Sequence, residues 1–117
     1  MKLKALIVSI KGTKLTKREK ILLKNERPWG IILFKRNLKS FSQIKTLTKH
    51  IKFYTKNKNF PIIIDEEGAS VSRLSSLIKN DLSSRFFGDL YKKNKLFSLK
   101  IFKVYLSSLS SILKNLG

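Results

Sequence analysis

The chain contains no cysteine and a single histidine, His50, among its 117 residues. This excludes disulfides, thiolate metal sites, a cysteine nucleophile and any histidine-rich metal cluster. Acidic residues are scarce, seven against 26 basic ones, and the formal net charge is +19. Long apolar runs are missing too. No uninterrupted stretch approaches the roughly 20 residues that cross a bilayer. Ala5 to Ile10 is too short for the apolar core of a signal peptide, and no small-residue cleavage site follows it. No membrane segment is expected, and a cytoplasmic setting is the expectation that follows.

What is present is the composition of a packed protein: 42% hydrophobic residues, eight of them phenylalanine. The length suits one small domain. A strongly basic domain is the usual electrostatic footprint of a nucleic-acid binder. Here, however, 21 of the cations are lysine and only five are arginine, spread along the whole chain. Sequence-specific readers favour arginine for its forked contacts. Together with abundant isoleucine and asparagine, the pattern fits drift toward AT-rich codons, and nucleic acid is not the expected partner.

Leu3 to Ile10 is rich in β-forming residues and leads into KGTK, a strand and a turn. Thr16 with Glu19 three residues on has the spacing of a capping box, so a helix is predicted to about Asn25, ending before Pro28. Ile31 to Phe34 is a short continuous apolar run after Gly30, the pattern of a strand buried on both faces. Ser40 and Gln43 repeat the capping-box spacing. Phe41, Ile44, Leu47, Ile51 and Tyr54 then recur every three or four residues, which predicts an amphipathic helix with Lys45, Lys49 and Lys52 on its wet side. FPIIID is a second buried strand, opened by Pro61.

Strand, helix and strand, with both strands continuously apolar, make a βαβ unit of a parallel sheet. A polar connection is expected from Gly68 to about Ser84. After it, Leu99, Phe102, Tyr105, Leu106, Leu109, Ile112, Leu113 and Leu116 form a helical stripe, so a long helix should cover Lys95 to Asn115, with Gly117 as its cap. Two buried parallel strands have too few neighbours to close a sheet. The chain is therefore expected to be the opening part of a larger α/β domain.

Three of the seven acidic residues stand together as Asp65, Glu66 and Glu67, at the end of the second apolar strand. Binding residues of parallel α/β domains gather beyond the carboxyl ends of strands. A carboxylate there could serve as acid, base, metal ligand or acceptor for a hydroxylated ligand. Equally, Asp65 could cap the turn while Glu66 and Glu67 are solvated, and residue type alone leaves both readings open. Two carboxylates of one loop do not make a magnesium site without further oxygen ligands. No metal site or cofactor is indicated.

The order of residues narrows the choice. Gly30, Leu33, Phe34, Arg36 and Asn37 in the first strand-end block, and Asp65, Glu67, Gly68, Val71 and Arg73 in the second, resemble the start of the catalytic barrel of glycoside hydrolase family 3. The likeness is strongest to its bacterial β-N-acetylhexosaminidase branch, with its G-x-[I/L]-L-F-x-R-N and D-Q-E-G-G-x-V-x-R motifs. It runs from about Leu15 to the end of the chain. It implies that residues 1–117 are the N-terminal portion of such a barrel: an α/β fold holding the first two or so βα units of a TIM-type barrel, which in full takes about 250 residues.

The resemblance further implies a carbohydrate substrate. Asp65 would accept hydrogen bonds from hydroxyls of a terminal N-acetylglucosamine, and Arg73 would donate to the same sugar. Arg36 and Asn37 are expected to shape the loop after the first strand. Three positions depart from the family: Glu66 stands for its Gln, Ala69 for its second Gly and Ser70 for its Arg.

The family hydrolyses with retention, through an aspartate nucleophile and, in this branch, a histidine acid/base in a K-H-F-P-G-H-type loop. Neither motif occurs here, and His50 lies mid-helix without that context. No catalytic residue is therefore expected within these 117 residues. The readings left beside this one are a small basic protein binding nucleic acid or anionic surfaces, and an inactive remnant of the enzyme.

Overall fold

A computed structural model of the chain describes residues 2–117. Three strands, β1 (Lys4–Ser9), β2 (Pro28–Leu33) and β3 (Ile62–Ile64), form one parallel sheet in the order β1-β2-β3. Their register aligns Ser9 with Ile32 and Ile32 with Ile63, and sets Leu33 opposite Ile64. Helix α1 (Lys17–Glu26) connects the first pair and α2 (Phe41–Thr55) the second. After a turn of 3-10 helix at Arg73–Ser76 come α3 (Ser84–Lys93) and α4 (Lys95–Leu116). The parallel βαβ unit is as predicted, and the N-terminal strand extends it to three strands.

The helix starts follow the capping chemistry of the sequence. Thr16 Oγ1 accepts from the Glu19 amide at 3.2 Å, while Glu19 Oε2 accepts from the Thr16 amide at 2.7 Å. The other Glu19 oxygen takes the Lys11 amide at 2.7 Å, tying the turn after β1 to α1. Ser40 caps α2 through the Gln43 amide, but the Gln43 side chain does not close a reciprocal box. Its oxygen accepts from the Lys39 amide, and its nitrogen donates to the Thr13 and Asn37 carbonyls at 2.8 and 3.2 Å. The side chain is long enough to reach two neighbouring turns, and these leave it more carbonyls to satisfy than the cap would.

One core lies where the sheet meets the helices. It joins Ile31 and Leu33 of β2, Leu23 of α1, Ile44, Leu47 and Ile51 of α2, Leu74 and the last turn of α4 at Leu116. The prediction of strands buried on both faces holds only in part. Ile31 and Leu33 are buried, but Ile32 and the three isoleucines of β3 are half-buried, and Trp29 is 44% exposed. Alternate side chains of a strand point to opposite faces. Ile62 and Ile64 pack against the core beside Ile31 and Leu33, whereas Ile32 and its neighbour Ile63 do not, so among the described residues the face bearing Ile32 is the less covered one.

Helix α3 was not expected. Ser83 caps it through the Phe86 amide at 3.1 Å, and its Phe87 packs on Phe102 and Tyr105 of α4 with ring centroids 4.8 and 5.1 Å apart. The stripe predicted on α4 is real but divides in two. Leu109, Ile112, Leu113 and Leu116 meet the core, whereas Leu99, Phe102 and Leu106 remain 38–49% exposed. Contrary to the expectation of no membrane segment, α4 is by length and mean hydropathy long and apolar enough to cross a membrane, although Lys100 and Lys103 interrupt its apolar stretch. The chain's radius of gyration is 16.6 Å, against about 13 Å for a compact chain of this length.

Asn37, buried at 0% exposure, joins the carboxyl ends of β1 and β2. Its oxygen accepts from the Phe34 amide at 2.8 Å, and its amide nitrogen donates to the carbonyls of Ile10 and Gly12 at 3.1 and 2.9 Å. Removing the side chain would strand backbone groups away from water, at about 1–3 kcal/mol for a buried group left unpaired. Asn37→Ala is therefore expected to lower the unfolding free energy by about 3 kcal/mol in urea titration. A loss under about 1 kcal/mol would show that water replaces the amide there.

Candidate carbohydrate-binding site

At the carboxyl edge of the sheet the ladder ends with Leu33 opposite Ile64. One residue further on, Phe34 and Asp65 therefore leave the two strands side by side. Asp65 is exposed and makes no hydrogen bond or ion pair with the described residues. The Arg73 guanidinium lies over the Phe34 ring at 5.8 Å, and its buried Nε has no hydrogen-bond partner. The Arg36 guanidinium rests on the same ring at 4.7 Å while its Nε donates to the Ile10 carbonyl at 3.2 Å. Arg36 and Asn37 thus shape the loop after β2, as expected, and two cations lie against one aromatic ring.

Of the three neighbouring carboxylates, Glu66 is the one turned inward. One of its oxygens accepts from the Leu74 amide at 2.8 Å, and the other from the Gly68 amide and the Asn80 side chain, both at 3.1 Å. Partial burial acts to raise its pKa, but these donors, led by the Leu74 amide, outweigh it and hold the carboxyl below its ordinary value of 4.5. The turn is therefore held by Glu66, and the alternative in which Asp65 capped it fails. A free Asp65 keeps all its acceptor capacity for another molecule.

The segment after Glu66 is folded tightly. Gly68 has φ +76, and a Cβ there would sit 2.1 Å from the Leu82 carbonyl oxygen, so only glycine fits. Ala69 follows at φ 49, a left-handed conformation that glycine adopts without penalty and alanine does not, and its amide donates to the Asn80 carbonyl at 2.7 Å. Ser76 Oγ donates to the Leu38 carbonyl at 2.6 Å, which lashes the turn carrying Arg73 to the loop after β2.

Asp65 and Arg73 share the carboxyl edge without lining a common cavity. A half-enclosed cavity of about 300 Å³ beside them is lined by Glu66, Glu67 and Ser83 with Phe87, Phe102 and Tyr105. His50 is exposed on α2, in the middle of the helix and away from this edge. No three His, Asp or Glu side chains gather in a metal-binding group among the described residues. The sequence drew attention to Asp65 and passed over Glu66. The available signal was the run of polar amides from Gly68 to Asn80, which needs an internal acceptor.

Two outcomes are expected. Ala69→Gly should raise stability by about 1 kcal/mol, measured in urea, because it relieves a left-handed non-glycine residue. No gain would mean that the alanine conformation is relaxed. The Glu66 pKa is lower folded than unfolded, so its stabilisation is fully present above about pH 4.5 and is lost as pH falls through the depressed value. Glu66→Gln should flatten the fall of the urea midpoint as the pH drops below about 4.5. An unchanged slope would place the acid sensitivity elsewhere.

No protein-family model matches the chain. Among curated proteins it is 31% identical over 94 residues to a β-hexosaminidase of Thioalkalivibrio sulfidiphilus, a match covering 80% of this chain and 27% of that protein. It is 34% identical over 87 residues to a β-hexosaminidase of Haemophilus ducreyi, covering 74% and 25%. Among solved structures, NagZ from Neisseria gonorrhoeae in complex with N-trifluoroacetyl-D-glucosamine aligns with a TM-score of 0.54 at 38% identity, over 61% of this chain and 20% of that one. A glycoside hydrolase family 3 β-N-acetylglucosaminidase from Paenibacillus aligns with a TM-score of 0.55 over 68% and 15%, and at 24% identity it supports the fold alone. The chain spans about a quarter of the length of the curated relatives it matches. In sequence and in fold the chain resembles a segment of the β-N-acetylhexosaminidases of glycoside hydrolase family 3.

Proposed function

We propose that these residues form part of the sugar pocket of a β-N-acetylhexosaminidase, an enzyme hydrolysing terminal β-linked N-acetylglucosamine with retention in the cytoplasmic recycling of cell-wall sugars. The three parallel strands and their helices would be the opening units of a (β/α) barrel. Asp65 would accept from sugar hydroxyls and Arg73 would donate to them. The observation that carries this reading is the pairing at the carboxyl edge. Asp65 stands beside Phe34, Arg73 is stacked on Phe34, and both polar groups are left without protein partners.

The chemistry follows from these two charges. A carboxylate and a planar guanidinium fix the rotation and tilt of a pyranose through charge-assisted hydrogen bonds. Aromatic support from Phe34 restricts the Arg73 head before the sugar arrives, so less conformational freedom is lost on binding. Glu66 holds the loop between them and leaves Asp65 unencumbered. Retaining hydrolysis also needs a nucleophile and an acid/base flanking the bond, and we place both outside residues 1–117. Binding is thus the contribution of this segment, and bond cleavage is not.

The test combines binding with turnover. The 117-residue chain should bind N-acetylglucosamine weakly in a two-dimensional NMR titration, with shifts confined to residues around Phe34, Asp65 and Arg73. Asp65→Asn and Arg73→Gln should each weaken binding about tenfold, the value of a lost charge-assisted hydrogen bond. A chromogenic N-acetylglucosaminide should remain uncleaved. Unchanged affinity in both variants would remove the two residues from the pocket, and measurable hydrolysis would show that the catalytic groups lie within this chain.

A further inference from the structure

The lysines that the sequence scatters converge at one place in the fold. Lys24, near the end of α1, comes together with Lys49 and Lys52 on the second half of α2 and with Lys56 and Lys58 beyond its end. With Phe53, Tyr54 and Asn57 they line a cavity of about 590 Å³, within the usual range for small-ligand sites. Its lining holds five ammonium groups and no carboxylate. The ion pairs among the described residues, Lys4 with Glu26, Lys79 with Asp81 and Arg85 with Asp89, involve none of the five. An adjoining hollow of about 180 Å³ shares Lys24, Tyr54 and Lys56 and extends the basic lining.

The same cavity has an aromatic wall. Phe53 is 72% exposed, the most exposed phenylalanine of the chain. It is held edge-on against Tyr54, with centroids 5.2 Å apart and an interplanar angle of 88°, while the Lys20 ammonium lies 5.4 Å from the Tyr54 centroid. The negative end of the α2 dipole is partly masked, because the Lys52 and Phe53 carbonyls accept from the amides of Lys56 and Asn57. The five ammonium groups around it outweigh the roughly half-unit negative charge of this helix end. The position is also separate from the sugar site, since the end of α2 leads into the start of β3 and Asp65 follows its finish.

Clustered ammonium groups without counter-charges attract phosphate, and an open ring face stacks on a planar base. We propose that the shared end of α1 and α2 binds a nucleotide, with its phosphates among Lys24, Lys49, Lys52 and Lys56 and its base against Phe53. The same unit could be supplied as a free nucleotide or within a single strand. The site is independent of the glycosidase reading and survives or fails separately.

Fluorescence anisotropy of a fluorescent ATP analogue on the 117-residue chain tests it, with unlabelled ATP, inorganic tripolyphosphate and a short single-stranded oligonucleotide as competitors. One saturable site is expected, with ATP competing better than tripolyphosphate. Phe53→Ala and the double variant Lys52→Gln/Lys56→Gln should each weaken binding about tenfold, in line with a lost base stack or lost phosphate contacts. Lys100→Gln/Lys103→Gln on α4 should leave it unchanged. All these side chains are surface residues, and circular dichroism checks that the variants fold. An oligonucleotide that outcompetes ATP with the same Phe53 dependence supports the site and makes a single strand its source. The proposal is overturned if Phe53→Ala has no effect, if tripolyphosphate matches ATP, or if the α4 pair costs as much as the α2 pair.

Discussion

The Glu66 carboxylate faces a connection that has little regular structure with which to satisfy its own amides. From Gly68 to Ser83 the chain is a bridge, a single 3-10 turn and irregular backbone. A buried amide without an acceptor is costly, so such a segment needs acceptors from outside itself. Glu66 supplies two oxygens and receives three donors from residues 68, 74 and 80. Asn80 carries the restraint onward to the Tyr105 hydroxyl at 3.1 Å, which couples the loop to α4. The placement of Arg73 relative to β3 follows from this one side chain and from the Ser76 tie to Leu38.

Local chemistry was the legible part of the sequence. The Thr16 cap, the apolar run of β2 and the stripe of α2 each depend on residues within a few positions of one another, and each element stands where the sequence put it, although Phe41 at the head of the α2 stripe is 43% exposed and Ile32 of β2 only half-buried. The inward turn of Glu66 was not legible, because three adjacent carboxylates differ only in which way the backbone leaves the strand. Helix α3 was hidden for a related reason. Its Ser83 cap is ordinary, but its apolar residues Phe86 and Phe87 are adjacent, and burial of one of them depends on α4, which comes later in the chain. Asn37 was recognised as a loop-shaping residue, while its bonds to Ile10 and Gly12 depend on β1 pairing with β2.

Charge and apolar surface are distributed unevenly. Lysines gather where α1 and α2 end, whereas the outward side of α4 exposes Leu96, Phe97, Val104 and Leu106. The Ile32 face of the sheet is also lightly covered. A parallel sheet is stable when both faces are shielded, so these surfaces are where further elements of a barrel would dock under the proposed architecture. The carboxyl edge, by contrast, is finished locally by buried polar contacts at Asn37 and Glu66.

Thr48 Oγ1 donates to the Leu116 carbonyl at 2.7 Å, joining positions 68 residues apart and fixing the last turn of α4 to the middle of α2. In polymer terms this bond closes a large ring that contains β3, the Glu66 loop and α3. The entropy of closing such a ring grows only with the logarithm of its length, about 0.6 kcal/mol for each doubling. Residues added within the irregular stretch before α3 would therefore barely burden the closure, while loss of the Thr48 hydroxyl would remove this bond and leave the apolar contacts of α4 to hold the ring. In this chain the docking of α4 rests on the Thr48 hydroxyl and on the core contacts of Leu109, Ile112, Leu113 and Leu116 far more than on the length of everything between.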